Sequence, residues 1–544
     1  MEKKDEDASI RAYGSVLHSP FSILHSPFLL TLTGVAFSVG LALASDGAYH
    51  DDALTHYLYS RWAWNDARYL LDEWGRPGLT ALLVPFARFG WTACRLESAV
   101  LSGAAVWFAY LTAARLEMRH AVFVVPLAFC QPLFVMLSYD TMTETAVALY
   151  LSLALWLFVS GRPTASAVVL SLCFVTRYET LVFGPLWWIA LRSVRARWYA
   201  YAAVAWAPAA HNLLGVLLLG RWPLAFILSG PLQDEYGSGT ALSMLIKSLA
   251  AAGPTVGLLA LVGCLLPWRR RGTWLVPAVY VVHLLTQTTI YWSGAYASGG
   301  YPRFFVSTAP VAAVVALHAL NHLVAREPAA QRRALAALAA IMLGAWIGLE
   351  IEPLPRDEVW ILVLDKLRPI ARAVGAVSIV ATLIGAIPTG ERAARWRGRM
   401  LGLLALLGSA GAVGPAAYLV RPHRSSPDAS DIASAVGWLR AAGFTPALDG
   451  GGEPRRSPLI TTNIWTSYFL GSDRNLTATP GNPLLAGVTR GSVLLWDADY
   501  SPGARFGISL DKLAANQAWH LKWSSRPRAD GTVFARIYRY EPAP

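Results

Sequence analysis

The sequence predicts a polytopic α-helical membrane protein with a small α/β domain at its C-terminal end, and three observations lead there. Only 15% of the 544 residues are charged, whereas a soluble globular chain carries about 25%. Hydrophobic residues make up 55% of the chain and the mean hydropathy is +0.41. The apolar residues are also gathered into runs. About 20 of them in succession cross the hydrocarbon core as a helix, because every backbone amide must be paired within the segment where no water is present.

Taken in order, the apolar runs lie at 27–45, 96–114, 120–138, 142–160, 164–176, 181–191, 199–219, 241–266, 273–291, 304–323, 334–350, 371–389 and 400–420, about thirteen spans. Residues 1–26 are polar and of mixed charge, and read as a cytoplasmic N-terminal segment. The first run lacks a small-residue cleavage site and is expected to stay as an anchor. The chain thus divides into 1–26, a membrane domain over 27–420 and an extracytoplasmic domain over 421–544.

Arginine placement orients these spans. With the N-terminus inside, the cytoplasmic loops hold Arg115, Arg119, Arg162, Arg192, Arg195, Arg197, Arg269–Arg271, Arg326, Arg332, Arg333 and the cluster Arg392, Arg395, Arg397 and Arg399, the bias that sets membrane topology. The same assignment puts 46–78, 138–143, 221–240, 292–303, 352–368 and everything after Arg421 outside. The net charge of +12 is spread over these short clusters, a distribution that argues against a nucleic-acid partner. The four cysteines, Cys94, Cys130, Cys173 and Cys264, sit in or beside apolar runs without CxxC spacing, so neither a disulfide framework nor a cysteine metal site is expected.

Two runs, 164–176 and 181–191, are too short to cross alone and are parted by Arg177, Tyr178, Glu179 and Thr180. Short interrupted helices place polar backbone along a cavity. Beyond Ser425, Gly, Pro, Asp, Arg and Ser predominate. A helical pattern over 431–442 and strand-like stretches at 459–462, 493–496 and 533–538 predict the small α/β domain.

The first external segment carries His50, Asp51, Asp52, His56 and Arg61 directly after the first span. Adjacent carboxylates at a membrane surface are costly unless solvated, paired or used. A carboxylate within hydrogen-bond reach of a hydroxyl can take its proton as that oxygen attacks. Asp is also a good N-cap, and the acids equally suit capping of a helix that begins near Ala53. With His50 and His56 they could further form a divalent-metal site of mixed nitrogen and oxygen ligands.

The pattern Tyr49-His50-Asp51-Asp52-Ala53, followed by Tyr57, Leu58, Tyr59, Ser60 and Arg61, resembles the acidic signature after the first helix of the membrane-embedded C-type (GT-C) glycosyltransferases. That superfamily includes the protein O-mannosyltransferase and aminoarabinose-transferase families. Met142-Thr143-Glu144, Thr176-Arg177-Tyr178-Glu179 and Tyr301-Pro302-Arg303-Phe304 fit the same resemblance in the same order, which covers roughly 30–320. It implies a GT-C-like membrane domain in the cytoplasmic membrane of a bacterium, and a function in the cell envelope. The implied donor is a polyprenyl-phosphate sugar, the acceptor a lipid, glycan or protein, and the catalytic acid Asp51 or Asp52.

His50, Arg61, Glu144, Arg177, Glu179, Tyr301 and Arg303 are then the substrate-binding candidates. Guanidinium binds phosphate oxygens through paired hydrogen bonds, which suits Arg177 and above all Arg303. Arg177 would equally pair with Glu179, Arg303 would snorkel to the interface, and Glu144 would cap the span it opens. The external aromatics Trp62, Trp64, Tyr69, Trp74, Tyr291, Trp292, Tyr296 and Tyr301 suit an interfacial belt or sugar stacking, and 61–89 suits helices lying along the outer interface. Two other classes stay open at this stage. A lipid or solute transporter would use the broken helix, but shows no internal repeat and no phosphate loop; a non-catalytic scaffold would tolerate neutral residues at 51 and 52.

Overall fold

The computed structural model describes residues 26–72, 74–225, 238–268, 272–294, 299–325, 327–351, 372–373, 375–380, 382–384, 391–444, 459–477, 488–503 and 506–542. The expectations for 1–25, for Arg269–Arg271 and Arg326, for Tyr296, and for 226–237 and 352–368 fall outside them.

Helix α1 (Pro27–Leu43) starts at Ser26, whose hydroxyl accepts the Leu29 N–H. Next come α2 (Asp51–Trp62), α3 (Trp91–Arg115), α4 (Thr143–Val159) and α5 (Pro163–Thr176), with α6 (Leu275–Ser293) and α7 (Ala309–Leu323) later in the bundle. Helix α4 is its axis, buried along nearly its whole length and packed between α3 and α5. Small residues on α3, among them Ser98, Ala99, Ser102, Gly103 and Ala105, are buried, and small side chains let helix backbones approach closely.

Fewer helices cross in one piece than the thirteen runs suggested. Among the described residues, Trp91–Arg115, Pro302–Leu323 and Leu401–Leu419 are long and apolar enough, and two bent pairs raise the number to 5. The 120–138 run bends by 76° before Pro132, and the 241–266 run by 115° before Pro254. Proline lacks the N–H and disfavours helical backbone in the residue before it. Helix α5, of 14 residues, spans only about 21 Å of a core about 30 Å thick. The expected break after it is present, as a 3-10 turn over Tyr178–Val182. The 61–89 segment is less superficial than expected: helix Pro77–Ala87 buries Gly78, Leu79, Thr80 and Leu83, and Tyr150 of α4 donates to the Gly78 carbonyl at 2.7 Å.

The C-terminal domain has helix α8 (Pro427–Ala441), helix α9 (Ile464–Leu470) and strands β1 (Leu459–Thr461), β2 (Val493–Asp497), β3 (Trp519–Ser524) and β4 (Ala535–Tyr540). The sheet order is β1-β2-β4-β3, with β1 and β2 parallel and β4 antiparallel to β2 and β3. The strand expected at 533–538 lies two residues further on. Strand β3 was not foreseen because it is an edge strand, largely exposed, with no apolar alternation to betray it. The domain sits directly on the bundle: Trp62 of α2 donates its indole N–H to the Ser472 carbonyl at 2.8 Å, and Trp465 and Tyr468 pack edge-on against Trp91.

Candidate active site

The chain between α1 and α2 is held from three directions. Asp140, fully buried, accepts the Tyr49 N–H at 2.8 Å. Arg95 of α3 donates to the carbonyls of Ser45 and Gly47, and its Nε lies 3.9 Å from Asp140. The His423 carbonyl accepts the N–H groups of Asp46 and Gly47 at 3.0 and 3.1 Å, while its imidazole stacks on Tyr139. Arg95, Asp140 and His423 come from separate segments and belong to no motif, so the sequence reading missed them.

Helix α2 begins at Asp51, two residues before the expected start, because its cap is His50: extended at φ −153°, His50 accepts the Asp52 N–H on Nδ1 at 3.2 Å. Asp51 and Asp52 therefore occupy the first turn, where free N–H groups and the helix dipole favour anions. Successive residues are about 100° apart around a helix, and the two carboxylates consequently face different neighbours.

Asp52 faces the bundle. Its Oδ2 accepts from Arg303 Nη2 at 2.7 Å and lies 3.3 Å from His50 Nδ1. The side chain keeps 42% of its surface open, so it looks into a recess walled by protein. Enclosure pushes the carboxyl up, but His50 and Arg303 together outweigh it and hold Asp52 well below the usual carboxylate range. One turn on, His56 is buried and its Nδ1 has no hydrogen-bond partner among the described residues. Burial pushes it down to about 3; Asp52 opposes this, while Arg76, Arg303 and Arg177 add to it.

Beneath Asp52 the charges alternate. Arg177 donates from Nη1 to Glu144 at 2.6 Å and from Nε to Glu179 at 2.5 Å. Glu144 is fully buried and also lies 3.7 Å from Arg303 Nε; it is thus an ion-pair partner of two arginines rather than a simple helix cap. Gln287 of α6 donates to Glu179 at 3.4 Å. Phe304 lies against both guanidinium groups, 4.4 Å from that of Arg177 and 5.6 Å from that of Arg303. Tyr301 covers Arg303 at 4.8 Å and meets His50 edge-on at 5.8 Å. Arg177 is thus committed to carboxylates. Arg303 is 5% exposed, and its Nε and Nη1 have no hydrogen-bond acceptor among the described residues.

Arg76, which no motif flagged, joins the cluster. It caps helix Pro77–Ala87 with left-handed backbone at φ 55°, lies 4.5 Å over the Tyr178 ring and has a buried Nη1 without an acceptor. Only the fold brings it to Tyr178.

Asp51 faces the other way, toward the C-terminal domain: Trp465 Nε1 donates to its Oδ1 at 2.7 Å and the Tyr500 hydroxyl to its Oδ2 at 2.8 Å. Three sequence expectations are corrected here. Arg61, at the far end of α2, lies 3.5 Å from Asp473 and 3.5 Å from the Gly471 carbonyl, about 15 Å along the helix from the acids, so it serves domain docking. Trp62 and Tyr69 pack in the core beside Tyr59, whereas Trp64, Trp74 and Trp292 are exposed as a belt requires. No group of three or more His, Cys, Asp and Glu side chains among the described residues is arranged to hold a metal ion: His50 and Asp52 are close, but Asp51 is turned away to Trp465 and Tyr500.

The arrangement places one carboxylate bonded by neutral donors beside another bonded to a cation whose remaining donors point into the site. This set can accept a proton at Asp51 and bind an anion at Arg303. No family model matches the chain, and comparison with curated proteins gives no match. Solved structures do match. The chain is similar to ArnT from Cupriavidus metallidurans in the apo state, at 12% identity and a TM-score of 0.56, over 93% of this chain and 97% of that one. The same protein bound to undecaprenyl phosphate matches at 12% identity and 0.57, over 96% and 98%. The fold is therefore that of ArnT, an aminoarabinose transferase of the GT-C glycosyltransferases, the class that the acidic loop motif resembles.

Proposed function

We propose that this protein is a membrane glycosyltransferase that moves a sugar from a polyprenyl-phosphate donor to an acceptor on the extracytoplasmic face of a bacterial cytoplasmic membrane. The observation that carries this reading is Arg303. A buried guanidinium with two donor atoms lacking acceptors, 2.7 Å from a first-loop acid, is built to receive an anion. The ArnT neighbour bound to undecaprenyl phosphate supports a lipid phosphate as that anion.

In the step this arrangement supports, the acceptor hydroxyl gives its proton to Asp51 as its oxygen bonds to the anomeric carbon. The bond from that carbon to the phosphate oxygen breaks, and the electron pair leaves with the lipid phosphate. Arg303 and Arg76 stabilise the charge that develops there. Asp51 suits the base role better than Asp52, whose ion pair with Arg303 makes it a weak proton acceptor. Asp52 instead orients Arg303. Glu144 and Glu179 hold Arg177, which supports Phe304, and His50 and Tyr301 line the approach.

The test is transfer by the full-length protein in nanodiscs, supplied with a panel of undecaprenyl-phosphate pentoses and hexoses. Wild type transfers from at least one donor, and Asp51→Asn lowers kcat by roughly 10²–10⁴-fold, the range for loss of a general base. Full activity in the Asp51→Asn, Asp52→Asn double variant would sink the mechanism.

A further inference from the structure

The C-terminal domain reaches Asp51 through two separately built turns. Strands β1 and β2 are parallel, so their C-terminal ends lie at one edge of the sheet, the edge at which parallel strands commonly present functional groups. Trp465 follows β1 and Tyr500 follows β2.

Each turn is rigid for a visible reason. Asn463 caps α9 and accepts the Trp465 N–H at 3.0 Å, the hydroxyls of Thr461 and Thr466 are bonded at 2.9 Å, and the Trp465 ring is 4% exposed, stacked on Phe469. After β2, the fully buried Asp497 accepts the N–H groups of Asp499 and Tyr500 at 3.1 and 2.8 Å on Oδ1. Its Oδ2 accepts the hydroxyls of Thr462 and Ser501 at 2.5 and 3.3 Å. A buried carboxylate is costly unless its lone pairs are satisfied, and here they are satisfied by the turn that aims Tyr500 at Asp51.

We infer that Trp465 and Tyr500 are positioning residues for the transfer step: they hold one lone pair on each Asp51 oxygen and leave the other lone-pair directions free for the acceptor hydroxyl. The C-terminal domain is then part of the catalytic apparatus, and its seating on α2 governs whether Asp51 is aligned. This rests on the reading of Asp51 as the base. A carboxylate without these two donors rotates about its χ angles, and catalytic groups lose rate steeply when they leave their productive geometry.

The experiment compares wild type, Tyr500→Phe, Trp465→Phe and the double variant as full-length protein in nanodiscs. Three quantities are read: undecaprenyl phosphate affinity, kcat and KM with a donor that the panel identifies, and the infrared carboxylate bands of Asp51, isolated by difference against Asp51→Asn. The infrared reading needs no donor. We expect each single variant to shift the Asp51 bands and lower kcat about tenfold, the scale of one lost hydrogen bond to a charged group, with about a hundredfold loss in the double variant. Donor KM and undecaprenyl phosphate affinity stay within about twofold of wild type, which a merely loosened fold would not preserve. Tyr500→Phe removes one oxygen and little packing, so it decides the matter if Trp465→Phe folds poorly. Unshifted bands or wild-type kcat in Tyr500→Phe, alongside an inactive Asp51→Asn, overturn the positioning role and leave the proposed function standing. Full activity in Asp51→Asn overturns both.

Discussion

A guanidinium that already neutralises a carboxylate must share its charge with any anion that arrives, and Arg303 is in that position. Its Nη2 is bonded to Asp52, while its Nε and Nη1 lack acceptors. Asp52→Asn removes a competing negative charge, so undecaprenyl phosphate should bind more tightly to that variant by roughly tenfold, a single close charge contact, even as transfer slows. Binding unchanged or weaker, by scintillation proximity or microscale thermophoresis, contradicts this placement. Arg303→Lys keeps a charge but loses the planar fork, and should weaken the same binding about tenfold. His56 supplies the pH dependence. Its folded-state value of about 3 lies below the ordinary 6.5, so between those values the unfolded chain binds the extra proton. Stability contributed by neutral His56 is therefore complete above pH 6.5 and lost progressively as pH falls toward 3. Thermal unfolding at pH 7.5 and pH 5 should show a smaller acid-induced drop in His56→Gln than in wild type.

At the scale of elements, the position of α2 depends on the clasp that joins the first external loop to the chain entering the C-terminal domain. Arg95 and Asp140 are both buried, and removing one member of a buried pair typically costs about 3–5 kcal/mol. Arg95→Leu should lower the unfolding temperature by several degrees and reduce transfer, since it frees the Ser45 and Gly47 carbonyls and leaves Asp140 without that cation. Gly47 tests the same clasp sterically. A Cβ there would run into the backbone of Arg424 and Ser425, so Gly47→Ala must push the linker away from the loop. An unfolding temperature unchanged by both substitutions would show that α2 is positioned by other contacts.

Across the whole molecule, two bodies with separate cores meet on α2. The bundle supplies the arginines and Asp52, and the C-terminal domain supplies the donors to Asp51. Trp62, with no exposed surface, fastens the junction through Ser472. Trp62→Phe fills most of the same space but leaves the Ser472 carbonyl unpaired, a loss of about 1–3 kcal/mol. Hydrogen exchange should then quicken over 459–477 while α3 and α4 stay protected; equal quickening in both regions would argue against a distinct junction.

Much of this was legible in the chain. Low charge and long apolar runs determine a membrane bundle, because unpaired backbone amides cannot survive in hydrocarbon, and the break at Arg177–Glu179 and the importance of Arg303 could be read from charges set inside apolar runs. The number of unbroken spans could not, since Pro132 and Pro254 bend runs that hydropathy alone joins. Nor could the different roles of Asp51 and Asp52, identical in sequence terms. Their roles part because adjacent helical residues point about 100° apart, and because the groups that meet Asp51 lie 414 and 449 residues away in the chain. By itself the sequence determined the solvent this protein lives in and the charges it keeps there. Which cation or hydroxyl each carboxylate faces was decided only when the bundle and the C-terminal sheet closed on α2, since contacts that distant have no local signature.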